Sequence, residues 1–253
     1  MKRLLLTGAL LLAVAAVSNR SLAADLPLKA PPAPVPVWGW TEFYSGVNIG
    51  EADGRTSWCT DAAIANCATA GATPTDVASL SPTGVVAGGQ FGYRWQAFDY
   101  LVLGVEGMLD GLSINKTVPS VIAGESHYTS FNSLESVTGQ LGIAFTNRFL
   151  VYGKGGWAAT DLHLDANNAI AGTDLSTFKW VGGWTAGAGV EYLLWTHLSI
   201  GVEYNYYQFN VGNITGLADT TGVVRACSFC DFGRTNVQTI LGRVNIKLWP
   251  WGA

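Results

Sequence analysis

Side chains able to carry out chemistry are scarce in this chain. Its 253 residues include three histidines, two in predicted loops (His127 and His163) and one in a predicted short turn (His197). Nucleophilic catalysis needs a nucleophile within hydrogen-bond reach of a base, and no spacing in the sequence indicates such a pair. We therefore predict no catalytic residue, no metal site and no bound cofactor, and we expect a protein that is not an enzyme.

Four cysteines form two pairs that are close in sequence, Cys59 with Cys67 and Cys227 with Cys230. Both pairs lie in polar stretches. Two local disulfides in an oxidising compartment are the favoured interpretation, although four cysteines allow three connectivities. The Cys-x-x-Cys at 227–230 has a second interpretation, as a redox motif or half of a zinc site. It lacks a partner motif, a following helix pattern and a nearby histidine.

Charged residues also occur inside apolar segments. The stretch FLVYGKGGWAA, residues 149–159, has the composition of a buried strand yet places Lys154 between glycines. A lysine is almost never fully buried without a partner. Acids and bases recur in such segments in equal numbers; they are Glu42, Glu106, Glu191 and Glu203 against Arg94, Lys154, Arg243 and Lys247. These residues indicate ion pairing inside a closed structure.

The composition limits the class of protein. Charged residues make up 13% of the chain, about half the share of an ordinary soluble domain. The formal net charge is −4 and no basic cluster is present, which excludes nucleic acid as an expected partner. No apolar run approaches the roughly 20 residues that a membrane-spanning helix needs.

Residues 1–23 have the pattern of a secretory signal peptide, with a positively charged start, a short apolar stretch at 4–17 and small residues at the end. Cleavage is predicted between Ala23 and Ala24. A membrane anchor is the alternative, but the apolar stretch is too short to span a bilayer. Removal of the peptide takes away three positive charges and lowers the formal charge from −4 to −7.

Eight segments of about ten residues show the period-two alternation of strands. They are 43–52, 84–96, 100–112, 134–145, 149–161, 180–193, 198–209 and 235–249. Their connections alternate between short (97–99, 146–148 and 194–197) and long (roughly 53–83, 113–133, 162–179 and 210–234).

Short turns at one end and long loops at the other are typical of bacterial outer-membrane barrels. The predicted fold class is therefore all-β, an eight-stranded antiparallel up-and-down transmembrane β-barrel. It occupies residues 39–249. A Pro-rich periplasmic tail (24–38) precedes it, and a C-terminal extension (250–253) follows it.

Each predicted strand has one apolar face and one face of polar residues and glycines. A soluble barrel would bury the apolar face, whereas a membrane barrel exposes it. Few charges on the polar faces favour the membrane barrel, as do aromatic residues at both ends of an apolar face, such as Phe149 and Trp157. Eight residues of tilted strand rise roughly 20 Å, which approaches the apolar band of about 25 Å.

Counting along the strands predicts a polar layer across the middle of the barrel. The count starts at the outward-facing residue nearest the short-turn end of each strand and moves five residues along the strand. Because side chains alternate between the two faces and five is an odd number, the residue that is reached faces inward at about mid-depth. The eight positions are Asn48, Gln90, Glu106, Gln140, Lys154, Gly187, Glu203 and Arg243. We expect Lys154 and Arg243 to pair with the two glutamates and to fill the lumen, because eight strands leave room only for side chains.

Four motifs resemble a known family. They are WTEFYSGVNIG at 40–50, FGYRW at 91–95, YGKGG at 152–156 and RVNIKL at 243–248. The chain resembles the small outer-membrane β-barrel proteins of alphaproteobacteria, immunogenic surface proteins grouped under an opacity-protein or OmpA-like porin family heading. The resemblance covers residues 40–248 and implies a barrel inserted by the outer-membrane assembly machinery, with no catalytic residues. Two residues depart from the pattern: Glu42 replaces a usual glycine, and Leu248 replaces the usual terminal Phe.

The expected function is that of a structural, surface-exposed outer-membrane protein with disulfide-bearing extracellular loops and both mature termini in the periplasm. Expected partners are outer-membrane lipid and lipopolysaccharide, periplasmic chaperones and the barrel-assembly machinery, and peptidoglycan or a host surface. Two alternatives stay open. One is a narrow, porin-like pore. The other, which the resemblance implies, is a surface protein that binds haem through His127 and Tyr128.

Overall fold

A computed structural model describes residues 39–60, 76–119, 125–168, 173–211, 213–214, 217–219, 224–225, 230–231 and 234–249. All of them belong to the unit Val37–Ala253. The predicted signal peptide with its cleavage position, the Pro-rich tail and the C-terminal extension lie outside the described residues. Cys67 and Cys227 also lie outside them, and only the backbone of Cys59 and Cys230 is described.

The described residues form β-strands joined by turns. In chain order the strands are β1 (Glu42–Thr60), β2 (Asp76–Leu80), β3 (Thr83–Gln96), β4 (Leu101–Pro119), β5 (Glu125–Thr146), β6 (Phe149–Asn168), β7 (Thr173–Trp195), β8 (Leu198–Asn210), β9 (Asn213–Ile214), β10 (Leu217–Asp219), β11 (Val224–Arg225), β12 (Cys230–Asp231) and β13 (Arg234–Trp249). Among these residues no helix is long and apolar enough to cross a membrane.

The eight long strands close into a barrel. Each pairs antiparallel with its neighbour along the chain, in the order β1, β3, β4, β5, β6, β7, β8 and β13. The last of them, β13, pairs with β1 from Trp249 opposite Phe43 to Asn236 opposite Arg55, which completes the ring. The predicted eight-stranded antiparallel barrel is confirmed. Seven of the eight predicted segments lie entirely within one of these strands, and the segment 100–112 has only residue 100 outside its strand.

The two ends of the barrel differ. At the short-turn end, the connections after β3, β5 and β7 span only 97–100, 147–148 and 196–197. At the opposite end, which we call the extended end, β4 to β7 continue well past the predicted boundaries. The predicted long loops at 113–133 and 162–179 are wrong, because most of these residues are paired strand. His127 and His163 therefore lie in β5 and β6 rather than in loops.

The faces of the barrel confirm the predicted orientation near the short-turn end. Large apolar side chains are exposed on the outer surface of every barrel strand; examples are Val47, Phe91, Val105, Leu141, Trp157, Val190, Val202 and Ile246. The polar and charged residues between them are buried in the interior. An apolar outer band is what a lipid-facing surface requires.

Towards the extended end the alternation inverts. On β6 the outward positions beyond Trp157 become polar, at Asp161 and His163, whereas the inward positions become apolar, at Leu162 and Leu164. Other strands contribute to the same apolar interior, with Ile114, Phe131, Tyr207, Phe209 and Val237 all buried. The extended end therefore has an apolar core inside and polar outward residues on β6, whereas β7 keeps the aromatic residues Phe178 and Trp180 exposed on its outer face.

A bulge in β5 marks this change. Asn132 and Ser133 together lie opposite Asp161, between the pairs Phe131–Leu162 and Leu134–Thr160. The Asp161 carboxylate accepts hydrogen bonds from the backbone N–H groups of Asn132 at 2.9 Å and Ser133 at 2.7 Å. The unpaired backbone groups of the bulge thus find a charged acceptor, as buried N–H groups require.

Candidate functional site

The interior of the barrel brings together most of the polar residues singled out from the sequence. Each of the seven polar residues of the predicted layer is buried. They are Asn48 on β1, Gln90 on β3, Glu106 on β4, Gln140 on β5, Lys154 on β6, Glu203 on β8 and Arg243 on β13. Glu106, Lys154, Glu203 and Arg243 contact one another, whereas Gln140 contacts Arg94 of a second group of charges and Asn48 is hydrogen-bonded to Gln90.

The first group consists of two glutamates and two bases. Lys154 Nζ lies 2.9 Å from Glu106 Oε1 and 2.5 Å from Glu203 Oε1. The Arg243 guanidinium donates to both carboxylates, through Nη2 to Glu106 Oε2 and through Nη1 to Glu203 Oε2. We call these four residues the central ion group. Its charges sum to zero, and each base bridges both acids, so every buried charge has a partner.

Two tyrosines complete the hydrogen bonding of the central ion group. Tyr44 donates its hydroxyl hydrogen to Glu106 at 2.7 Å, and Tyr152 donates to Glu203 at 2.6 Å. The Tyr152 ring lies over Gly189 of β7, where an added Cβ would come within 2.6 Å of the ring. Glycine at this inward position therefore leaves the space that the tyrosine fills. Neither tyrosine was singled out from the sequence as a partner of these charges. The signal was available, because both tyrosines stand at the alternate positions of β1 and β6 that face inward.

A second group of charges lies nearer the short-turn end. Arg94 donates from Nη1 and Nη2 to the two oxygens of Glu191, at 2.9 and 2.7 Å, and lies 3.5 Å from Glu42. Lys247 lies 3.0 Å from the other oxygen of Glu42. Ser199 donates to Glu191. This lower ion group also contains two acids and two bases, and its Arg94–Glu191 pair has the bidentate geometry that favours arginine.

Amide side chains join the lower ion group to the rest of the interior. Asn245 donates to Glu191 at 2.9 Å and accepts from Gln90 at 2.8 Å, and Gln90 in turn accepts from Asn48 at 2.9 Å. Gln140 accepts from Arg94 Nε at 3.2 Å. Gln140 thus contacts the lower ion group directly and Gln90 is linked to it through Asn245, which is where the arrangement differs from a single layer around Lys154 and Arg243.

Trp40 closes the short-turn end of the lumen. It precedes β1 and is fully buried, with Val102, Leu150 and Leu193 among its apolar neighbours in the cluster. Its backbone N–H donates to Gln96 at 3.0 Å, and Lys247 donates to the carbonyl of the preceding Gly39 at 2.9 Å. This role could not be predicted from the sequence, because Trp40 stands outside the alternating segment and therefore has no predicted inward or outward side.

The interior is thus stacked along its axis. Apolar residues around Trp40 come first, then the lower and central ion groups, and then the apolar core of the extended end. Such an arrangement can exclude water on both sides of the ion pairs, which strengthens their interaction.

His127 and Tyr128, the residues considered for haem, point to opposite sides of β5. His127 is buried on the inward face, and Tyr128 is half-buried on the outward face beside Asp165 of β6. Adjacent residues of a strand face opposite ways, so these two side chains do not converge on one ligand. Within the described ranges no group of three or more His, Cys, Asp or Glu residues is placed to hold a metal ion.

The family of the chain follows from its sequence match. A model of the outer membrane protein beta-barrel domain matches residues 7–226, which is most of the chain. The chain belongs to this family. The match ends before β13, the strand that closes the barrel against β1 and β8. Together with the closed ring of strands, it makes this an outer-membrane β-barrel protein.

Similar proteins come from the same compartment. The chain is 29% identical over 207 residues to the 31 kDa outer-membrane immunogenic protein of Brucella melitensis biotype 1, covering 78% of this chain and 84% of that protein. It is 29% identical over 235 residues to the 25 kDa outer-membrane immunogenic protein of Brucella canis, covering 87% and 90%. The outer membrane protein OprG from Pseudomonas aeruginosa aligns with a TM-score of 0.49 at 16% identity, covering 85% and 100%.

Proposed function

We propose that this protein is a sealed outer-membrane barrel that carries an extended surface outside the cell, and that it is neither a diffusion pore nor an enzyme. The observation that carries the proposal is the stacked interior. Two neutral ion groups, joined by tyrosines and amides, lie between two apolar clusters. A solute crossing the barrel would have to break buried ion pairs, and removing one partner of such a pair costs about 3–5 kcal/mol.

The extended end is the functional surface in this proposal. Its strands continue past the lipid-facing band around an apolar core, and β6 carries the polar residues Asp161 and His163 on its outer face, which suits a structure surrounded by water and lipopolysaccharide. The names of the Brucella relatives, which call those proteins immunogenic, support an exposed surface here too. We further propose that the loops at this end carry the Cys59–Cys67 and Cys227–Cys230 disulfides. These loops would face the space outside the cell or contact a host surface.

The opposite end would then face the periplasm. An even number of strands brings the start of β1 and the end of β13 to the same end, which is the short-turn end. Both mature termini are therefore proposed to be periplasmic, after signal-peptide removal between Ala23 and Ala24. Insertion by periplasmic chaperones and the barrel-assembly machinery belongs to the same proposal, as does any contact of the Pro-rich tail with peptidoglycan.

Conductance in planar lipid bilayers tests the seal. We expect the refolded wild-type barrel to give no discrete, reproducible openings at either polarity. A heat-denatured sample of the same preparation controls for leakage caused by detergent. Stable openings of uniform size in the wild type would contradict the proposal and favour the narrow pore.

Haem titration tests the remaining alternative. Because His127 and Tyr128 face opposite sides of β5, we expect no Soret shift that depends on His127. A saturable Soret band that His127→Ala abolishes would favour a haem-binding surface protein.

A further inference from the structure

The buried charges of the barrel interior do not balance. Among the described residues the interior holds one more acid than bases at the level of the two ion groups. The acids are Glu42, Glu106, Asp110, Glu191 and Glu203, and the bases are Arg94, Lys154, Arg243 and Lys247. The ion pairs use all four bases and four of the acids. Asp110 is the acid that is left over.

No other described base offsets this charge. Lys116 and Lys179 also have the inward parity of their strands, but both are exposed at the extended end. Lys179 donates to the backbone carbonyl of Val211 at 2.9 Å. A buried carboxylate is stabilised by a compensating charge or is neutralised by a proton, so a cation near Asp110 would complete the charge balance of the interior.

The Asp110 carboxyl group meets the amide of Asn48 inside the barrel. Asn48 Nδ2 donates to Asp110 Oδ1 at 2.8 Å and to Gln90 Oε1 at 2.9 Å, which uses both of its hydrogens. Two oxygens are left: within the described residues, neither Asp110 Oδ2 nor Asn48 Oδ1 has a hydrogen-bond donor, and both atoms are buried. The pair therefore presents two unsatisfied acceptor oxygens on neighbouring side chains.

The backbone of three adjacent strands builds this meeting point. Asn48 on β1 lies opposite Gly88 on β3, and Gly88 lies opposite Asp110 on β4. A Cβ atom on Gly88 would lie 2.2 Å from Asp110 Oδ1. Only glycine at this position lets the carboxyl group reach across β3 to the amide, so the site depends on all three residues.

We propose that a monovalent alkali cation binds between Asp110 and Asn48. Carboxylate and amide oxygens are hard ligands that favour hard cations, and one unit of positive charge balances the ionised Asp110 carboxylate. A divalent ion fits less well, because the described residues contain no group of three or more acidic, His or Cys ligands. The cation caps the central ion group on the side of the apolar core and adds to the stability of the folded barrel.

Thermal unfolding of the detergent-solubilised full-length barrel tests this site. The wild type is compared in sodium, potassium and N-methylglucammonium chloride at equal ionic strength and at one pH. An ion that binds only the folded state raises its midpoint. We expect a saturable rise of about 2–4 °C in at least one alkali salt over the bulky organic cation, and its loss in Asp110→Asn.

A matched variant separates this effect from general destabilisation. Asp161 is a buried aspartate on the other face of the barrel wall, and it serves the β5 bulge. Asp161→Asn is therefore expected to lower the midpoint in every salt and to keep the alkali-dependent rise. Gly88→Ala retains every charge but crowds Asp110, and it should reduce the rise.

Two results would overturn the proposal. One is a wild-type midpoint that is the same in all three salts, which would mean that a proton or water compensates Asp110. The other is an alkali-dependent rise that persists in Asp110→Asn. If that variant does not fold, wild-type crystals grown in rubidium chloride decide the matter. We expect an anomalous peak between Asp110 and Asn48, and its absence would refute the site.

Discussion

Lys154 touches both acids of the central ion group, Glu106 at 2.9 Å and Glu203 at 2.5 Å. Replacing it by methionine leaves two buried carboxylates with Arg243 as their one remaining base. We expect Lys154→Met to lower the free energy of unfolding by about 3–5 kcal/mol. The double variant Lys154→Met, Glu106→Gln restores the balance of charge and should recover part of that loss. Denaturant unfolding in detergent measures both.

Lys116→Met is the matched control for this prediction, because the same side-chain change then takes place at an exposed site on β4. Its effect should stay within about 0.5 kcal/mol. Equal losses for Lys116→Met and Lys154→Met would show that the ion pairs add nothing specific to stability.

The cysteines are predicted to form local pairs, Cys59 with Cys67 and Cys227 with Cys230. The backbone of Cys59 lies opposite Asp231, and that of Cys230 lies opposite Thr60, so a pairing between these two strands is the competing connectivity. Short rings restrict the unfolded chain little, and reduction should therefore leave the barrel folded while making its loops easier to cleave. Peptide mapping without reductant measures the pairing. Recovery of a peptide that links Cys59 to Cys230 would contradict the local pairs.

At the scale of the strand, the outer face of β8 runs from the lipid-facing band towards the extended end. The cost of an added charge can therefore be compared in these two surroundings on one strand. Val202 is an exposed, outward-facing residue within the apolar band, and Gln208 has the same parity nearer the extended end. Val202→Arg should cost roughly 2–4 kcal/mol, because it places a charge in the middle of the lipid-facing band, whereas Gln208→Arg should cost about 0–1 kcal/mol. Folding yield in lipid vesicles and denaturant unfolding measure the difference. Similar tolerance of both variants would place the lipid boundary elsewhere.

Strand positions within the lipid-facing band could be predicted from the sequence, because lipid outside and ion pairs inside impose a strict alternation there. The alternation at Phe149 to Trp157 is an example. Beyond Trp157 it changes sense, with Asp161 outside and Leu162 inside, so the sequence pattern predicts a strand end where only the apolar outer face ends. The hydrophobic pattern thus marks where β6 leaves the lipid and not where it ends.

The interior could be predicted only in part for a related reason. Parity identified the bases Lys154 and Arg243 and their acids, since an inward charge in a narrow barrel needs a partner. It could not rank depths around a tilted barrel, so it did not predict that Gln140 contacts Arg94 or that Gln90 is linked to Glu191 through Asn245. The position of Trp40 inside the lumen could not be predicted, because this residue lies outside a strand and the alternation of strand side chains does not extend to it.

On the scale of the whole molecule, the orientation in the membrane decides whether the extended end can act as a surface. The strands β4 to β7 all project at that end, and three short turns lie at the other. Their interior is an apolar core, and outward polar residues such as Asp161 and His163 on β6 suit water around them. The space outside the cell accommodates such a projection without contact with the periplasmic peptidoglycan layer. We therefore predict that the extended end faces outward.

Epitope insertion into two connections tests this orientation. An epitope inserted between β4 and β5, after residue 119, should bind antibody on intact cells. The same epitope inserted between β5 and β6, in the turn at 147–148, should bind only after the outer membrane is permeabilised, because that turn lies at the proposed periplasmic end. Gel mobility that shifts on heating verifies that each variant still forms the closed barrel. Antibody binding to the 147–148 epitope on intact cells, with none to the other, would reverse the orientation. The projecting strands would then face the periplasm, and the proposed role as a surface structure would fail with it.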